Sequence, residues 1–524
     1  MTPFKSDVKS QAEPPRLAAV IDIGATSIRL AVAEILHAGT VRTLDTLIQP
    51  VDLGKEVFES RKISQASTER VVEVLTRYQH VLKEYGFQPG DQVRVVATTA
   101  VREAVNRLAF ADRLYVATGL KIDSIDEQEV NRITYVGVYP HLKAHNELAN
   151  GQSLVIEVGG GNTELLAVRG GNVLSSRSFR LGSIRLLQTL HRVRTNSGQR
   201  RAIMESHIHR YLGQIRDAVN DDHKTHLVAL GGDIRFAASY LSSYWDGKSL
   251  IKIHVDSLKQ LTDEVFDLND DEIVKRYSMS YVEASTLAPA LLTYGLIAQK
   301  FDVSHLYVCD TNLRDGLLHD MAVGGNWSEE FRNQIVRSAL DLGRKFGFDE
   351  LHARNVAELS RLLFSQLSDQ HGLSSRHEII LFVAALLHEI GLIVNVRSNH
   401  KHALYLIRNS DLFGLSKSEL LLVGLVARYH RRAAPQASHD AYANLPQHDR
   451  GVVGKLASML RLAIALDDTR SGRVRDIKCL NQKGKLLIDI YGVDDVSLEQ
   501  IAMREKSTLF RDVFGLAVDL RPGQ

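Results

Sequence analysis

Two short stretches of the sequence each place an acidic residue, a glycine turn and a polar side chain in a row. The first is DIGATS at residues 22–27, and the second is EVGGGNT at residues 157–163. Glycine lets the backbone come close to a ligand, successive turn N–H groups can point at one anion, and Ser or Thr hydroxyls add donors. The preceding carboxylate can hold a divalent cation or a water molecule beside that anion. Together the stretches predict a phosphate-binding site; the alternative is that both only connect strands.

Further residues extend this candidate site. A third glycine turn lies in HLVALGGDIRFAA at residues 226–238, where the order is strand, Gly-Gly, helix. Arg102 lies about one helical turn beyond a strand and could clamp a phosphate with two hydrogen bonds, although a solvent-exposed salt bridge is the alternative. The candidate phosphate-binding residues are Gly24, Ala25, Thr26, Ser27, Arg102, Gly159, Gly160, Gly161, Asn162, Thr163, Gly231 and Gly232.

The elements that must position these turns follow a repeated pattern. LAAVIDIGATSIRLAVAEI begins at Leu17 and SLVIEVGGGNTELLAV begins at Ser153. Each consists of an apolar strand, an acidic residue, a glycine turn and a second apolar strand, and the acidic residues Asp22 and Glu157 are 135 positions apart. The repeat predicts two β-hairpins, each opening a related mixed α/β domain.

The sequence changes character after about residue 327. Apolar residues there recur every three to four positions, which predicts a helical domain. KLLIDIYG alternates and QKG suits a hairpin turn, so a short β segment is expected at residues 477–492. The predicted divisions are a disordered lead-in (1–15), two α/β domains (16–148 and 149–322), and a helical domain with a C-terminal segment (323–524).

Composition limits the classes of function. The chain has 524 residues and a net charge of +2, which is too small to imply nucleic-acid binding. The sequence contains no run of about 18 apolar residues, so no membrane span is expected. The N-terminal residues lack the apolar core of a signal peptide. The two cysteines, Cys309 and Cys479, are far apart and suggest buried thiols rather than a disulfide, so a cytoplasmic protein is expected.

Taken together, the motifs resemble the exopolyphosphatase/guanosine pentaphosphate phosphohydrolase (Ppx/GppA) family, over residues 17–475. The resemblance implies two ribonuclease-H-like domains of the actin-like ATPase superfamily flanking a cleft, plus an all-α HD-like domain with a short C-terminal β segment. It also implies Mg²⁺-assisted attack of water on the terminal phosphate of inorganic polyphosphate or the 5′ γ-phosphate of guanosine pentaphosphate, and a homodimer formed through the helical domains. The implied metal ligands are Asp22, Glu157 and Glu164. The matching pieces are DIGATSIRL, ATTAVREAVN, IDEQEVNRITYVGV, VIEVGGGNTEL, LGSIRL, ALGGDIRFAA, LRDGLL, LLHEIGLIVN, HKHALYLIRNSDLFGLS and ARYHRR.

The chain departs from the family pattern at several turn positions. Ala25 and Thr26 replace Ser and Asn in the first turn, and Glu157 and Asn162 replace Asp and Ser in the second. Asp233 replaces a Thr in the third turn and puts a negative charge where a phosphate donor is expected. The central glycines remain, so the turn geometry is expected to remain as well.

The most consequential departure lies in IDEQEVNR at residues 125–132. The position of the family's catalytic Glu is occupied by Val130, which cannot accept a proton. Glu127, Glu129 or a longer-reaching Glu157 are candidate substitutes, with Glu164 beside the phosphate. A further interpretation is that these acids only favour a helix N-terminus. Without an efficient base, the chain would be a slow enzyme or a sensor that binds polyphosphate or guanosine alarmones.

The helical domain carries two further candidate groups. The histidines and acids of the first resemble the His…His-Asp…Asp pattern of metal-dependent HD phosphohydrolases, with metal binding or a retained scaffold as alternatives. This group comprises His352, His388, Glu389, His402, His430 and Asp467. A basic group could line a groove for a long polyanion or form a solvated helix face. Its members are Arg397, His400, Lys401, His402, His430, Arg431 and Arg432.

Overall fold

Two mixed β-sheets form the framework of the first half of the chain. In the computed structural model the chain divides into two units, Met1–Gly325 and Asn326–Gln524. The structure describes residues 15–36, 39–88, 92–191, 197–219, 224–242, 245–247, 249–323, 329–431, 433–482 and 484–523. Residues 1–14 of the predicted lead-in and the segment 324–328 lie outside the described residues.

The first sheet has the strand order β3-β2-β1-β4-β5. β1 pairs antiparallel with β2 in the predicted hairpin and parallel with β4 on its other side. Its residues 18–21 are fully buried, because helices cover both faces of the sheet. The elements are β1 Arg16–Ile23, β2 Ser27–Ile35, β3 Val41–Pro50, α1 Leu53–Ser60, α2 Gln65–Glu84, β4 Gln92–Ala97, α3 Thr99–Glu103, α4 Arg107–Thr118, β5 Ile122–Ser124 and α5 Glu127–Ala144.

The second sheet repeats the first. Its order is β10-β11-β9-β6-β7-β8, in which β6 pairs antiparallel with β7 and parallel with β9. The five strands β8-β7-β6-β9-β11 reproduce β3-β2-β1-β4-β5, and β10 adds an antiparallel edge. The prediction of two related ribonuclease-H-like domains is therefore confirmed. The elements are α6 Asn146–Asn150, β6 Gln152–Val158, β7 Thr163–Arg169, β8 Asn172–Phe179, α7 Ser183–His191, α8 Ser197–Arg216, β9 Thr225–Leu230, α9 Gly232–Leu241, β10 Ile251–His254, α10 Val255–Asp267, α11 Asp270–Tyr277, α12 Tyr281–Lys300, β11 His305–Val308 and α13 Leu313–Ala322.

The last helix of this unit, α13, returns to the first sheet. Leu317 and Leu318 of α13 are buried in one cluster with Ala18 and Val20 of β1 and Ile133 of α5. The sequence division had assigned residues 313–322 to the second domain. The structure instead packs this helix on the face of the first sheet that is opposite α2 and α4.

The second unit is mainly helical, as predicted, and ends in a small sheet. β12 and β13 form the predicted antiparallel hairpin, and the sequence analysis did not identify β14, which pairs parallel with β13. α21 is buried along most of its length because its Leu, Ala and Val residues are distributed around the helix. The elements are α14 Glu329–Lys345, α15 Glu350–Gln366, α16 Ser368–His371, α17 Ser375–Leu387, a 3₁₀ helix Ile390–Ile393, α18 Asn399–Arg408, α19 Lys417–Arg428, α20 Asp440–Ala443, α21 Gln447–Leu466, β12 Asp476–Gln482, β13 Lys485–Tyr491, α22 Ser497–Lys506, α23 Thr508–Phe514 and β14 Ala517–Pro522.

The helices and the cysteines also bear on the expectations from composition. Among the helices described for the chain, none combines the length and the apolar character that a membrane span requires. Cys309 is a buried free thiol and Cys479 is a partly buried one.

Candidate active site

The two glycine turns singled out in the sequence lie against each other. A Cβ added to Gly160 would lie 3.3 Å from the Cβ of Ala25, so the two turns approach each other closely. Backbone hydrogen bonds from residues outside the two turns fix the position of each turn. Gly54 N donates to Ala25 O at 2.8 Å, and Ile184 N donates to Gly160 O at 3.0 Å. The turns of two separate hairpins therefore frame one space.

A cavity of about 430 Å³, called the turn cavity below, opens at this place. Most of the predicted phosphate and metal residues line it, whereas Thr163, Arg102, Glu127 and Glu129 are not among its lining residues. Thr163 is fully buried, and its hydroxyl donates to Leu181 O. The predicted residues that do line the turn cavity are Asp22, Gly24, Ala25, Thr26, Ser27, Glu157, Gly159, Gly160, Gly161, Asn162, Glu164, Gly231 and Gly232.

The turn backbones present donors to this cavity. Within the described residues, the N–H groups of Ala25, Thr26, Gly160 and Gly161 have no protein acceptor. N–H groups that converge in a turn form a concave site that favours an anion. This arrangement fits the predicted contact between a phosphate and the two turns.

The hairpin register places four charged side chains in two facing pairs. Asp22 on β1 pairs with Arg29 on β2, and Glu157 on β6 pairs with Glu164 on β7. The members of each pair are seven positions apart, so the internal repeat carries the same two sites in both domains. The second hairpin holds two carboxylates where the first holds an acid and an arginine. Like charges directly across a strand pair repel each other.

Glu164 is one acid of this group whose pKa is shifted upward. Its pKa is raised to about 8: burial is the largest cause, the charges of Glu127 and Glu157 add to the rise, and a hydrogen bond from Ser178 and the charge of Arg102 oppose it. Ser178 Oγ donates to Glu164 Oε1 at 2.8 Å, whereas Glu164 Oε2 is buried without a hydrogen-bond partner in the described structure. The raised pKa favours the protonated form of Glu164 at neutral pH.

Asp22 and Glu157 show the same direction of shift. Burial raises the pKa of Asp22, and the positive charge of Arg314 opposes that rise. Arg314 Nη1 lies 3.4 Å from Asp22 Oδ2, and Asp22 Oδ1 has no partner in the described structure. Burial also raises the pKa of Glu157, with Arg235 opposing the shift and Asp22 adding to it.

The third turn adds another acid. Gly231 has a φ of +115°, a conformation that favours glycine, and α9 begins at the next residue. Tyr294 connects this turn to the second one, since Val158 N donates to the Tyr294 hydroxyl and that hydroxyl donates to Leu230 O. Asp233, in the first turn of α9, lines the turn cavity, and removal from water raises its pKa to about 6.

The acids of residues 125–132 have separate roles. Asp126 caps α5, since its side chain accepts a hydrogen bond from Glu129 N. Both oxygens of the buried Glu129 accept hydrogen bonds from Arg132, each 2.8 Å long. Burial raises the pKa of Glu129, but the hydrogen bonds and charge of Arg132 outweigh this effect and leave the pKa lowered. Glu129 is thus held in an ion pair away from the turn cavity, which Val130 lines.

Glu127 lies closer to the predicted chemistry, together with Arg102. Arg102 Nη2 is 3.3 Å from Glu127 Oε1, and the charges of both residues act on the pKa of Glu164. Arg102 also donates to Ile125 O at 2.9 Å and to the hydroxyl of Thr99 at 3.3 Å. The predicted phosphate clamp is therefore engaged with protein acceptors beside the cavity.

The donor set of the turn cavity fits Mg²⁺. Asp22 Oδ1 and Glu164 Oε2 are buried carboxylate oxygens without a partner in the described structure, and Mg²⁺ prefers such hard oxygen ligands. The charged lining residues are five acids and one arginine: Asp22, Glu157, Glu164, Asp233, Glu283 and Arg29. A cation bound by these acids would favour the entry of an anion, because it would offset their negative charge. Asp22, Glu157 and Glu164 are the residues that would hold that cation.

The sequence analysis missed several of these residues. Arg29 was readable, because it lies two positions after Ser27 on the strand that faces Asp22. Asp233 was noticed as a departure but not counted in the site. Arg314 lies in LRDGLL, one of the pieces that carry the resemblance, but was not counted in the site. Glu283 gave no local signal, since α12 approaches the turns from a distant part of the chain.

The second unit brings part of the predicted histidine group together. The rings of His352, His388 and His430 are neighbours, and His352 Nδ1 lies 2.7 Å from Asp467 Oδ2. His402 lies partly buried on α18.

The predicted basic group is only partly exposed. Arg397 and Lys401 are exposed, whereas His430 is buried. Arg431 donates to Arg397 O at 3.2 Å, and His400 is partly buried. Arg432 lies outside the described residues.

Comparisons with known proteins agree with this architecture. A sequence model of the Ppx/GppA phosphatase family matches residues 31–323, more than half of the chain, and a model of Ppx/GppA phosphatase domain III matches residues 336–501. The structure is similar to a Ppx/GppA family member from Aquifex aeolicus, with 24% identity and a TM-score of 0.50 over 60% of this chain and 100% of that one. It is also similar to an exopolyphosphatase from Cytophaga hutchinsonii, with 20% identity and a TM-score of 0.54 over 59% of this chain and 98% of that one. At these identities the two structures support the fold.

Proposed function

Because the chain belongs to the Ppx/GppA phosphatase family, we propose that it is a phosphohydrolase acting in the turn cavity. The substrate would be inorganic polyphosphate or guanosine pentaphosphate, and the reaction would release the terminal phosphate, or the 5′ γ-phosphate, to water. One observation carries the proposal: two opposed glycine turns with unpaired N–H groups share a cavity with five carboxylates. Phosphoryl transfer to water needs mainly positioning and charge neutralisation, which such a cavity can provide.

In this proposal, different residues of the chain bind the phosphate and the metal ion. The turn N–H groups and Arg29 would bind the terminal phosphate, and Asp22, Glu157 and Glu164 would hold Mg²⁺. The metal would supply neutralisation of phosphate charge and polarisation of a phosphoryl oxygen. Asp233 and Glu283 would repel a phosphate that arrives without its cation, because both line the same space.

The proton acceptor for water must be one of the acids beside the cavity. Glu127 and Glu164 are the candidates that the geometry supports, because their charges interact and Glu164 lines the cavity. A carboxylate whose pKa lies near neutrality is well matched to proton transfer, once it is ionised. Glu129 is a weaker candidate because Arg132 occupies both of its oxygens.

The alternative function is a sensor that binds polyphosphate or an alarmone with little turnover. Val130 motivates it, since this side chain lines the turn cavity where the family carries a glutamate. Glu127 and Glu164 favour the hydrolase because they leave carboxylates beside the same space.

The experiment is phosphate release from polyphosphate and from guanosine pentaphosphate, with Mg²⁺ and with a chelator. We expect release that requires Mg²⁺ and that falls at least about 100-fold in a Glu157→Gln/Glu164→Gln variant. The matched control is Glu147→Gln, which removes an acid that pairs with Lys252 instead. Intact binding of both substrates without any release would exclude the hydrolase. In that case Val130→Glu tests the sensor, because restored release would identify the missing base.

The remaining expectations stay predictions. We also expect a homodimer formed through the helical domains and a cytoplasmic location.

A further inference from the structure

Three histidines from separate segments of the second unit meet around one point. His352 belongs to α15, His388 follows α17 and His430 follows α19. The ring centroids of His352 and His388 are 5.5 Å apart, and those of His388 and His430 are 5.2 Å apart. All three side chains are at most 6% exposed, so the cluster is built into the interior of this unit.

Each of these rings uses its Nδ1 atom in a hydrogen bond. His352 Nδ1 donates to Asp467 Oδ2 at 2.7 Å, and His388 Nδ1 donates to Ala385 O at 2.7 Å. His430 Nδ1 donates to Ala427 O at 2.6 Å. Because the acceptors are a carboxylate and two carbonyls, the proton of each neutral ring lies on Nδ1. The Nε2 atoms are therefore left as lone-pair donors.

Of the three Nε2 atoms, that of His388 gives the strongest indication that a binding partner is missing. It is buried, and the described residues give it no hydrogen-bond partner. A buried polar atom without a partner destabilises the folded state, so a native structure usually satisfies it. A metal ion would satisfy a nitrogen lone pair in this position.

A carboxylate completes the group. His352, His388 and Glu389 each offer a ligand atom, and these three atoms lie within 4.8 Å of one another. Arg470 Nη2 lies 2.6 Å from Glu389 Oε1 and orients that side chain. A carboxylate can bind a metal through one oxygen while the other accepts a hydrogen bond.

From this geometry we propose that His352, His388 and Glu389 form a binding site for a divalent transition-metal ion of the zinc or iron class. Two imidazole nitrogens and one carboxylate oxygen suit these ions, whereas Mg²⁺ prefers an all-oxygen set such as that of the turn cavity. Asp467 is the partner that orients His352, and it is itself buried and fixed by Gly472 N. Three protein ligands leave coordination positions open.

The site has a route to solvent. A cavity of about 420 Å³ is lined by His352, Glu389 and His430. Its other lining residues include Arg431 and Arg470, so a small anion or water could reach the open side of the ion. This gives the site an ion path, a ligand set and oriented ligands, the features expected of a metal site.

The test uses the full chain, equilibrated with Zn²⁺ in excess Mg²⁺ so that the turn cavity is occupied. We expect one Zn²⁺ per chain by elemental analysis after dialysis, and loss of that ion in His388→Gln. The matched control is His371→Gln, because His371 is a buried histidine of the same unit whose two ring nitrogens are both hydrogen-bonded. One Zn²⁺ must remain in this control.

A second variant keeps the ligands and removes only their support. Asp467→Asn should weaken Zn²⁺ binding about 10–100-fold in calorimetry, because it loosens His352 without deleting a ligand. Replacement of Zn²⁺ by Co²⁺ should give visible absorption bands that His388→Gln abolishes. Absence of bound metal in the unmodified chain, or equal binding by the folded His388→Gln variant, would overturn the proposal.

Discussion

At the scale of single residues, the charge of the second hairpin is the feature that distinguishes this site. Glu157 and Glu164 face each other where Asp22 and Arg29 face each other in the first hairpin. Glu164 is buried and Glu157 is partly buried, and two such acids on adjacent strands disfavour each other's ionisation unless a cation is present. In the proposed function, protonation of Glu164 would therefore be linked to metal binding.

The first prediction concerns how the free energy of unfolding of the metal-free protein depends on pH. It compares the unmodified chain with Glu164→Gln. The pKa of Glu164 rises from 4.5 to about 8 on folding, so the native state binds the proton more tightly than the unfolded state. The free energy of unfolding therefore falls as pH rises from 4.5 to about 8, by about 1.4 kcal/mol per pH unit. Glu164→Gln should remove this loss, and thermal unfolding at pH 5 and pH 8 measures it.

The companion measurement is Mg²⁺ affinity by calorimetry. Because Mg²⁺ must displace the proton of Glu164, its affinity should rise up to about tenfold per pH unit below pH 8. Mg²⁺ affinity that does not change with pH, together with unchanged stability of Glu164→Gln at pH 8, would contradict the assignment.

The second prediction separates Glu127 from Glu129. Glu129→Gln should lower the free energy of unfolding by roughly 3 kcal/mol, because it leaves the buried Arg132 without one of its partners. Glu127→Gln should cost less than about 1 kcal/mol, since its pair with Arg102 is partly exposed, but should lower kcat about 100-fold. Chemical denaturation and steady-state phosphate release measure the two effects.

Each variant serves as the control for the other. A Glu129→Gln protein that unfolds like the unmodified chain and yet has lost turnover would make Glu129 the proton acceptor. The same result would require the ion pair with Arg132 to open during the reaction.

At the scale of elements, the close packing of the turns decides whether a phosphate fits. Gly161 has no space for a side chain, since a Cβ there would lie 2.5 Å from Phe58 Cζ and 2.8 Å from Thr99 Cγ2. The Arg185 guanidinium carbon lies 4.1 Å from the centroid of the Phe58 ring and packs over it. The second turn is therefore shaped by α1 and by the start of α3.

The third prediction follows from this packing. Gly161→Ala should cost about 1–3 kcal/mol in the free energy of unfolding and weaken binding of tripolyphosphate, because the turn must shift away from Phe58. Thermal unfolding and calorimetry with tripolyphosphate measure both effects. Gly213→Ala is the control, since Gly213 lies on the exposed side of α8 with open space around it. Unchanged tripolyphosphate binding in Gly161→Ala would show that this turn does not contact the ligand.

Features set by local sequence were the ones that sequence reasoning could predict. The two hairpins and their turns were predictable because strand alternation and glycine position lie within about 20 residues. The pair of Glu129 with Arg132 was also readable, since residues three apart share a helix face. The contact of Arg314 with Asp22 and the strand β14 were not, because both depend on distant segments returning to a sheet.

At the scale of the whole molecule, the chain carries two units with different chemistry. The first holds the turn cavity, with its excess of acids, and the second carries exposed basic residues on and beside α18. The Aquifex aeolicus structure matches 60% of this chain with its full length, so the fold occurs in chains much shorter than this one. The sequence analysis predicted that the basic group of the second unit could line a groove for a long polyanion.

The fourth prediction tests that contribution in the full chain. Reversing the exposed charges in an Arg397→Glu/Lys401→Glu variant should weaken binding of long polyphosphate, because cations along a polyanion add to its affinity and release its counterions. The dependence of binding on salt should become shallower, while kcat on tripolyphosphate should stay unchanged. A Lys345→Glu/Lys478→Glu variant reverses two exposed charges elsewhere in the same unit and is the matched control. Equal weakening in both variants would mean that net charge alone attracts the polymer, and no weakening in either would assign polymer binding to the first unit.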